Sequence, residues 1–368
     1  MYLVLTIFLL GLYLFLNGIK NKQKGKAIFI IVTTFILCLL SALKNFGVGP
    51  DTYQYYLGFN QAKITSWGAI FHDIKLYLSG NIYISDPGYD IIEKGFHYIS
   101  DSFYVYSFFV ALVLTSAIGK LMFMTVEKMI GYVIGYLYFI TLLFLNMPNN
   151  LYRQTMALGI LLWAFIIVIE KKNRLLPFIL CAFAILVHRS AIIGIIPFAF
   201  IKWNKTNKIF ISAIVLAPLF YIFGKEIVEF LVVNSDYDRY ASYADFDSQT
   251  NPGMLIVEML IFYVIGLFSF SKIRSLPILV RISFACYSIA IATVSFMLLD
   301  TNLVRISYYF SIWGMFYLPN CYESNNKILK NIFLCVIFTL LIGRAILVSP
   351  NYSFFWERME LRDRYLRK

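Results

Sequence analysis

Charge is what this chain has least of. Asp, Glu, Lys and Arg make up 14% of its 368 residues, against 60% for hydrophobic types. So little charge cannot clothe a soluble fold of this length, whereas lipid-facing helices need none. Histidine is scarce too: His72, His97 and His188 stand apart, without HxH or HxxxH spacing, so no metal site is expected. The five cysteines (Cys38, Cys181, Cys286, Cys321, Cys335) lie in or beside apolar segments and form no CxxC pair. They read as packing residues, and no cofactor is expected. Acidic residues are outnumbered, 20 to 32, leaving a net charge of +12. The excess sits in short runs flanking apolar stretches, which is the positive-inside pattern and not that of a nucleic-acid partner. Also missing are a basic n-region and a small-residue cleavage site at the N-terminus. MYLVLTIFLLGLYLFL is therefore expected to be a first transmembrane helix, not a cleaved signal.

What is present is a near-continuous series of apolar stretches. A spanning helix needs roughly 20 apolar residues. Candidates lie at 2–17, 27–44, 103–126, 130–147, 152–169, 175–188, 190–201, 209–223, 254–271, 277–299, 303–320 and 328–348. The expected fold is an all-α polytopic membrane protein of about 12 transmembrane or re-entrant helices. Segments 175–188 and 190–201 are short and read either as two spans or as a re-entrant hairpin. Basic clusters recur at every second gap, from Lys20–Lys26 to Lys327 and Lys330. With the first gap cytoplasmic, the inner side holds 17 basic and 3 acidic residues, the outer side without the tail 10 basic and 14 acidic, and the tail at 349–368 the remaining 5 and 3. That bias sets the orientation. Two long loops, 45–102 and 224–253, then fall outside. Within the first, Trp67, Ile70, Phe71, Ile74 and Leu78 recur at helical spacing, as expected of a helix lying in the membrane interface. Residues 1–348 read as a single polytopic domain, followed by a charged tail at 349–368.

Ionisable residues near span ends usually face a polar cavity. The outer ends carry Asp51, Glu93, Arg153, His188, Arg189, Asp300, Arg305 and Arg344. Arg153 opens a span after the polar run Asn146–Asn150, and reads either as a snorkelling cation or as part of a wet pocket. Arg305 has Asp300 at i−5 and Tyr308 and Tyr309 at i+3 and i+4, so it reads as a structural pair or as a ligand for substrate. Guanidinium forks suit phosphate oxygens, and several at one membrane face fit a diphosphate clamp. His188, next to Arg189, ends a short apolar segment. It is either structural or a base for a hydroxyl proton. Asp51, ahead of Tyr53, Tyr55 and Tyr56, reads as a helix N-cap or as a carboxylate for sugar hydroxyls with aromatic rings alongside.

Taken in order, GVGPDTYQYY (47–56), GYDIIEKGFHYI (88–99), LYRQTMALGI (151–160), LVHRSAIIGIIP (186–197) and NLVRISYYF (302–310) resemble the EpsG-type members of the Wzy-like polysaccharide polymerases. The stretches run from the second span to the eleventh. They depart from the family pattern at Lys94, where a small residue or proline is expected. The resemblance implies a multi-pass glycosyltransferase of the bacterial cytoplasmic membrane. It would join undecaprenyl-diphosphate-linked oligosaccharide repeat units into exopolysaccharide, capsule or O-antigen at the extracytoplasmic face, with inversion and without a metal. It further implies Arg153, Arg189 and Arg305 on diphosphate, and His188 as base or orienting group. Asp51, Tyr53 and Glu93 would contact acceptor sugar. Tyr309 and, outside the matching stretches, Asp300 and Arg344 are further candidate substrate contacts. Membrane lipids, a flippase and a chain-length regulator are the implied partners. A transporter of lipid-linked glycans is the alternative. It should carry ionisable residues through both halves of its spans, and here the inner halves are nearly free of them.

Overall fold

The computed structural model describes residues 1–81, 84–203, 205–233, 253–298, 303–347 and 352–357, with the side chains of 225 and 227–233 excepted. Among these residues the chain is helical, and its one β-contact is an isolated antiparallel bridge between Lys44 and Phe354. Six helices are long and apolar enough to cross a membrane, and four shorter apolar helices accompany them. The protein is therefore a polytopic, all-helical membrane protein. It divides into two compact units: residues 1–124, 136–195 and 341–368 form the first, and residues 125–135 and 196–340 the second.

In the first unit, α1 (Tyr2–Asn17) and α2 (Lys22–Leu43) form a hairpin. Asn21 starts α2 by accepting the Lys24 backbone N–H at 3.0 Å. The segment 45–102, expected as an outer loop with one helix at 67–78, holds three helices: α3 (Thr52–Ile64), α4 (Trp67–Leu78) and α5 (Pro87–Phe96). Ser66 caps α4 by accepting from Ala69 N–H at 3.2 Å. Of the apolar stripe expected on α4, Ile70 is buried within the protein while Phe71 and Leu78 are exposed. Next come α6 (Phe103–Thr125) and α7 (Met129–Phe139), and α7 runs into a π-helical turn at Ile140–Phe144. There the Thr141 hydroxyl donates to Leu137 C=O at 2.8 Å, in competition with the regular ladder. After the turn, α8 (Tyr152–Ile169) and α9 (Leu176–Val187) pack closely on each other. A 3₁₀ segment, Arg189–Ile195, ends this part of the unit.

The polar run before α8 is a landing surface. Ser41 Oγ donates to Pro148 C=O at 2.8 Å, and Lys44 Nζ donates to Asn149 C=O at 2.7 Å and to Pro148 C=O at 3.3 Å. Lys44 is fully buried, with its ammonium over the Tyr152 ring at 4.5 Å. Gly49, at φ +80°, brings the 47–52 turn onto the same run: a Cβ there would stand 2.9 Å from Asn149 O. Residues 352–357 then close on this corner. Asn45 N–H donates to Ser353 C=O at 2.8 Å, Phe355 N–H to Leu43 C=O at 2.9 Å, and Tyr352 Oη to Leu40 C=O. The start of the tail therefore lies at the same end as residues 43–45.

The second unit holds α10 (Ile196–Lys202), α11 (Thr206–Val233), α12 (Gly253–Leu267), α13 (Ile278–Val294), α14 (Val304–Ser311), α15 (Gly314–Glu323) and most of α16 (Lys327–Leu347). Its core centres on Tyr317. The ring stacks on Tyr287 at 4.3 Å, and its hydroxyl contacts the Phe262 and Tyr263 carbonyls at 3.0 Å each. Gly266 is required beside it, because a Cβ there would lie 1.8 Å from the Tyr317 oxygen. Two expected spans are broken. Segment 190–201 is 3₁₀ up to Ile195 and α-helical only from Ile196, and segment 303–320 divides at Ile312–Trp313. Loop 224–253 and Asp300 lie mostly or wholly outside the described residues.

Candidate active site

The site is built around a residue that sequence reasoning passed over. Asp86 stands at the N-cap of α5, ahead of Pro87 at N1. Its backbone is left-handed, at φ 56° and ψ 44°. For a non-glycine residue that conformation costs about 1–2 kcal/mol. The carboxylate does not cap its own helix either. Instead Oδ1 accepts the backbone N–H of Arg189 at 2.9 Å, and Oδ2 accepts His188 Nδ1–H at 3.0 Å. Arg153 Nη1 reaches the same Oδ2 at 3.4 Å. A strained N-cap with no capping bond breaks two local preferences at once, as happens where a side chain is committed to function.

Each partner comes from an element shaped to present it. His188 is the C-cap of α9, in an extended conformation between that helix and the 3₁₀ segment, so its ring leaves the helix axis. Arg153 is the second residue of α8. Gly88 permits the meeting of α5 with the end of α9: a Cβ there would stand 2.6 Å from the Leu186 carbonyl carbon and 2.8 Å from Val187 N. Aromatic rings floor the cluster. Arg153 lies over Tyr89 at 5.4 Å and Arg189 over Tyr77 of α4 at 5.7 Å, while Tyr55 stacks on Tyr152 at 5.0 Å. The side chains of His188 and Arg153 remain 25% and 35% exposed, so solvent and a substrate can reach both.

The carboxylates of α5 have diverging proton affinities. Burial raises that of Asp86, but the His188 hydrogen bond, the charges of His188 and Arg153 and the Arg189 N–H outweigh it, and the group sits below its ordinary value. Asp90 is pushed up to about 6, by burial first. Glu93 is pushed up to about 8, by burial first and then by Asp90, against the pull of Arg153. Such a spread within one helix is typical of functional sites.

Of the expected site residues, Arg153, His188 and Arg189 come together at Asp86. Glu93 belongs to the helix that Asp86 starts, and is 3% exposed. Asp51 is the N-cap residue of α3 by position, without a side-chain capping bond. Its N–H donates to Asn150 Oδ1 at 2.8 Å. Tyr53 is half-buried, 6.1 Å from Tyr56. Arg344 donates through Nε to Thr141 C=O at 3.2 Å, at the π-turn. Arg305 is the second residue of α14 in the second unit, and Tyr309 on the same helix is fully buried. Among the described residues no group of three or more His, Cys, Asp or Glu is placed to hold a metal ion. The sequence does carry an unread signal for Asp86, the Asp-Pro-Gly at 86–88, which marks a helix start with an acidic N-cap.

The EpsG family model matches residues 26–357, nearly the whole chain and all of this cluster. The chain belongs to the EpsG family. EpsG proteins are Wzy-like polymerases, and membership points to a polysaccharide polymerase embedded in a membrane. No curated protein and no solved structure matches the chain.

Proposed function

We propose that this EpsG protein is a glycosyltransferase that lengthens a polysaccharide from repeat units carried on undecaprenyl diphosphate. The observation that carries the reading is the Asp86 carboxylate, which holds an imidazole and approaches a guanidinium through one oxygen while fixing the neighbouring arginine through the other. Asp86 takes the Nδ1 proton of His188 in a hydrogen bond, which leaves Nε2 as the base. An acceptor hydroxyl gives its proton to Nε2 as its oxygen attacks the anomeric carbon of the donor. A glycosidic bond forms, and the bond from that carbon to the diphosphate oxygen breaks with its electron pair on the diphosphate. Single displacement inverts the anomeric centre. The growing charge on the leaving group is met by Arg153 and Arg189, whose fixed N–H donors match phosphate oxygens. Asp51 and Tyr53, at the start of α3, are assigned to acceptor sugar.

The extracytoplasmic face of the bacterial cytoplasmic membrane is the proposed side, from the charge bias of the gaps. Flippase and chain-length regulator proteins are the proposed partners. The test is reconstitution in liposomes with lipid-linked repeat units. A ladder of polymer is expected, absent with His188→Ala or Arg153→Ala at equal protein levels, and Arg305→Ala is scored separately. Repeat units moved across the bilayer without lengthening would sink the reading in favour of a transporter.

A further inference from the structure

Glu93 has no place in the transfer step, yet it is the most deeply buried carboxylate near the site. It lies on α5 with Tyr89 and Asp90, and 3% of it is exposed. Its Oε1 has no hydrogen-bond partner among the described residues. From α3, Gly58 approaches so closely that a Cβ there would stand 3.8 Å from Oε2. Tyr55 of α3 and Tyr106 of α6 enclose Tyr89 at 5.9 and 6.3 Å. The titratable and charged groups around Glu93 are thus Tyr55, Tyr89, Asp90, Tyr106 and Arg153, with Asp73 of α4 acting on Asp90. The one cation in this set, Arg153, is already ion-paired with Asp86. A carboxylate with a bare oxygen in such surroundings is far costlier than the neutral acid.

We propose that Glu93 is a neutral carboxylic acid in the working protein and a positioning residue, so that it takes no share of the Arg153 charge, which is left to Asp86, Asp90 and the diphosphate of the donor. The proposal rests on the reading given under Proposed function. The rise of its proton affinity, to about 8, agrees with the geometry. When Glu93 ionises, its proton leaves for solvent and a further carboxylate, beyond Asp86 and Asp90, draws on Arg153. Donor binding then weakens, while the His188 step, held by Asp86, is untouched.

Infrared difference spectra of the purified protein, as a pH titration with Glu93→Gln and Asp90→Asn alongside, read the protonation directly. The expected result is a protonated-carboxyl carbonyl band at pH 7 that is lost around pH 8, absent in Glu93→Gln and retained in Asp90→Asn. In the polymer assay, the donor KM of the wild type rises between pH 7 and 9 with kcat little changed. Glu93→Gln keeps its neutral-pH KM and loses that rise. Absence of the band in the wild type, or its loss in Asp90→Asn instead, overturns the proposal. So does a folded, membrane-inserted Glu93→Gln protein that cannot polymerise at pH 7. If Glu93→Gln does not fold, the wild-type and Asp90→Asn titrations still decide. A band present in a protein that makes no polymer would count against the polymerase reading and leave the protonation standing.

Discussion

Asp86→Asn is the most informative single change. Asparagine tolerates the left-handed backbone at φ 56°, so the helix start survives and only the charge is lost. The amide oxygen still accepts from one donor, but the ion pair with Arg153 and the charge assistance to His188 Nδ1 disappear. Hydrogen bonds to charged groups contribute about 1.5–3 kcal/mol, and each 1.36 kcal/mol of transition-state stabilisation is tenfold in rate. A positioned general base contributes about 10²–10⁴-fold. Losing the partner that orients it is therefore expected to lower kcat by roughly 10²–10³-fold. The assay is polymer formation by purified protein from lipid-linked repeat units, with kcat and donor KM separated. Asp86→Gly serves as control, since glycine also fits the backbone and removes the carboxylate entirely. Residues that act as a unit are non-additive, so Asp86→Asn in a His188→Ala background should cost almost nothing more. A kcat within about twofold of wild type, or losses that multiply in the double variant, would refute the dyad.

Four further outcomes follow from the same geometry. Gly88→Ala inserts a methyl against the Leu186–Val187 backbone, so α5 and α9 must separate. The expected cost is about 1–3 kcal/mol in thermal unfolding, with polymerisation lost even where the protein persists. Lys44→Met removes one of two donors from each of the Pro148 and Asn149 carbonyls, which keep Ser41 and Thr52, and destabilisation of about 0.5–1.5 kcal/mol is expected in the same measurement. Arg153→Lys keeps the charge but loses the planar fork, and kcat/KM should fall at least about tenfold, mainly through donor KM. Glu93 is raised from its ordinary 4.5 to about 8. Its stabilising contribution is therefore complete below about pH 4.5 and lost as pH rises through 8. The wild type should melt lower at pH 9 than at pH 6, and Glu93→Gln should flatten that difference.

Most of the helices were legible because a membrane imposes a length on apolar runs. The reading 152–169 coincides with α8, and 103–126 and 328–348 lie within a residue of α6 and α16. Inside 45–102 no such constraint acts. The residues of α3 have little apolar bias and only α4 carried a visible stripe, so three helices read largely as loop. The breaks at Ile195 and Ile312 fall inside apolar runs, where composition does not change across the break. At the site, Arg153, His188 and Arg189 stood out as ionisable groups near apolar ends. Their common partner did not, because the pairing of Asp86 with them spans 67 to 103 residues of chain and depends on Gly88 allowing two backbones to touch. Lys44, at the end of the 27–44 segment, shows nothing of its role in the sequence for the same reason: only the folded chain brings two carbonyls from residues 148 and 149 to its ammonium.

A ribosome making this protein completes the Asp86 cluster by residue 195, long before it reaches Tyr352. At about 5–20 residues per second, the strap that pairs with Leu43 and Asn45 follows on the order of ten seconds later. During that interval the Lys44 corner is held from one side only, by the carbonyls ahead of α8. Residues 352–357 thus act as a clasp on the turn at 43–45, added only after the rest of that corner exists.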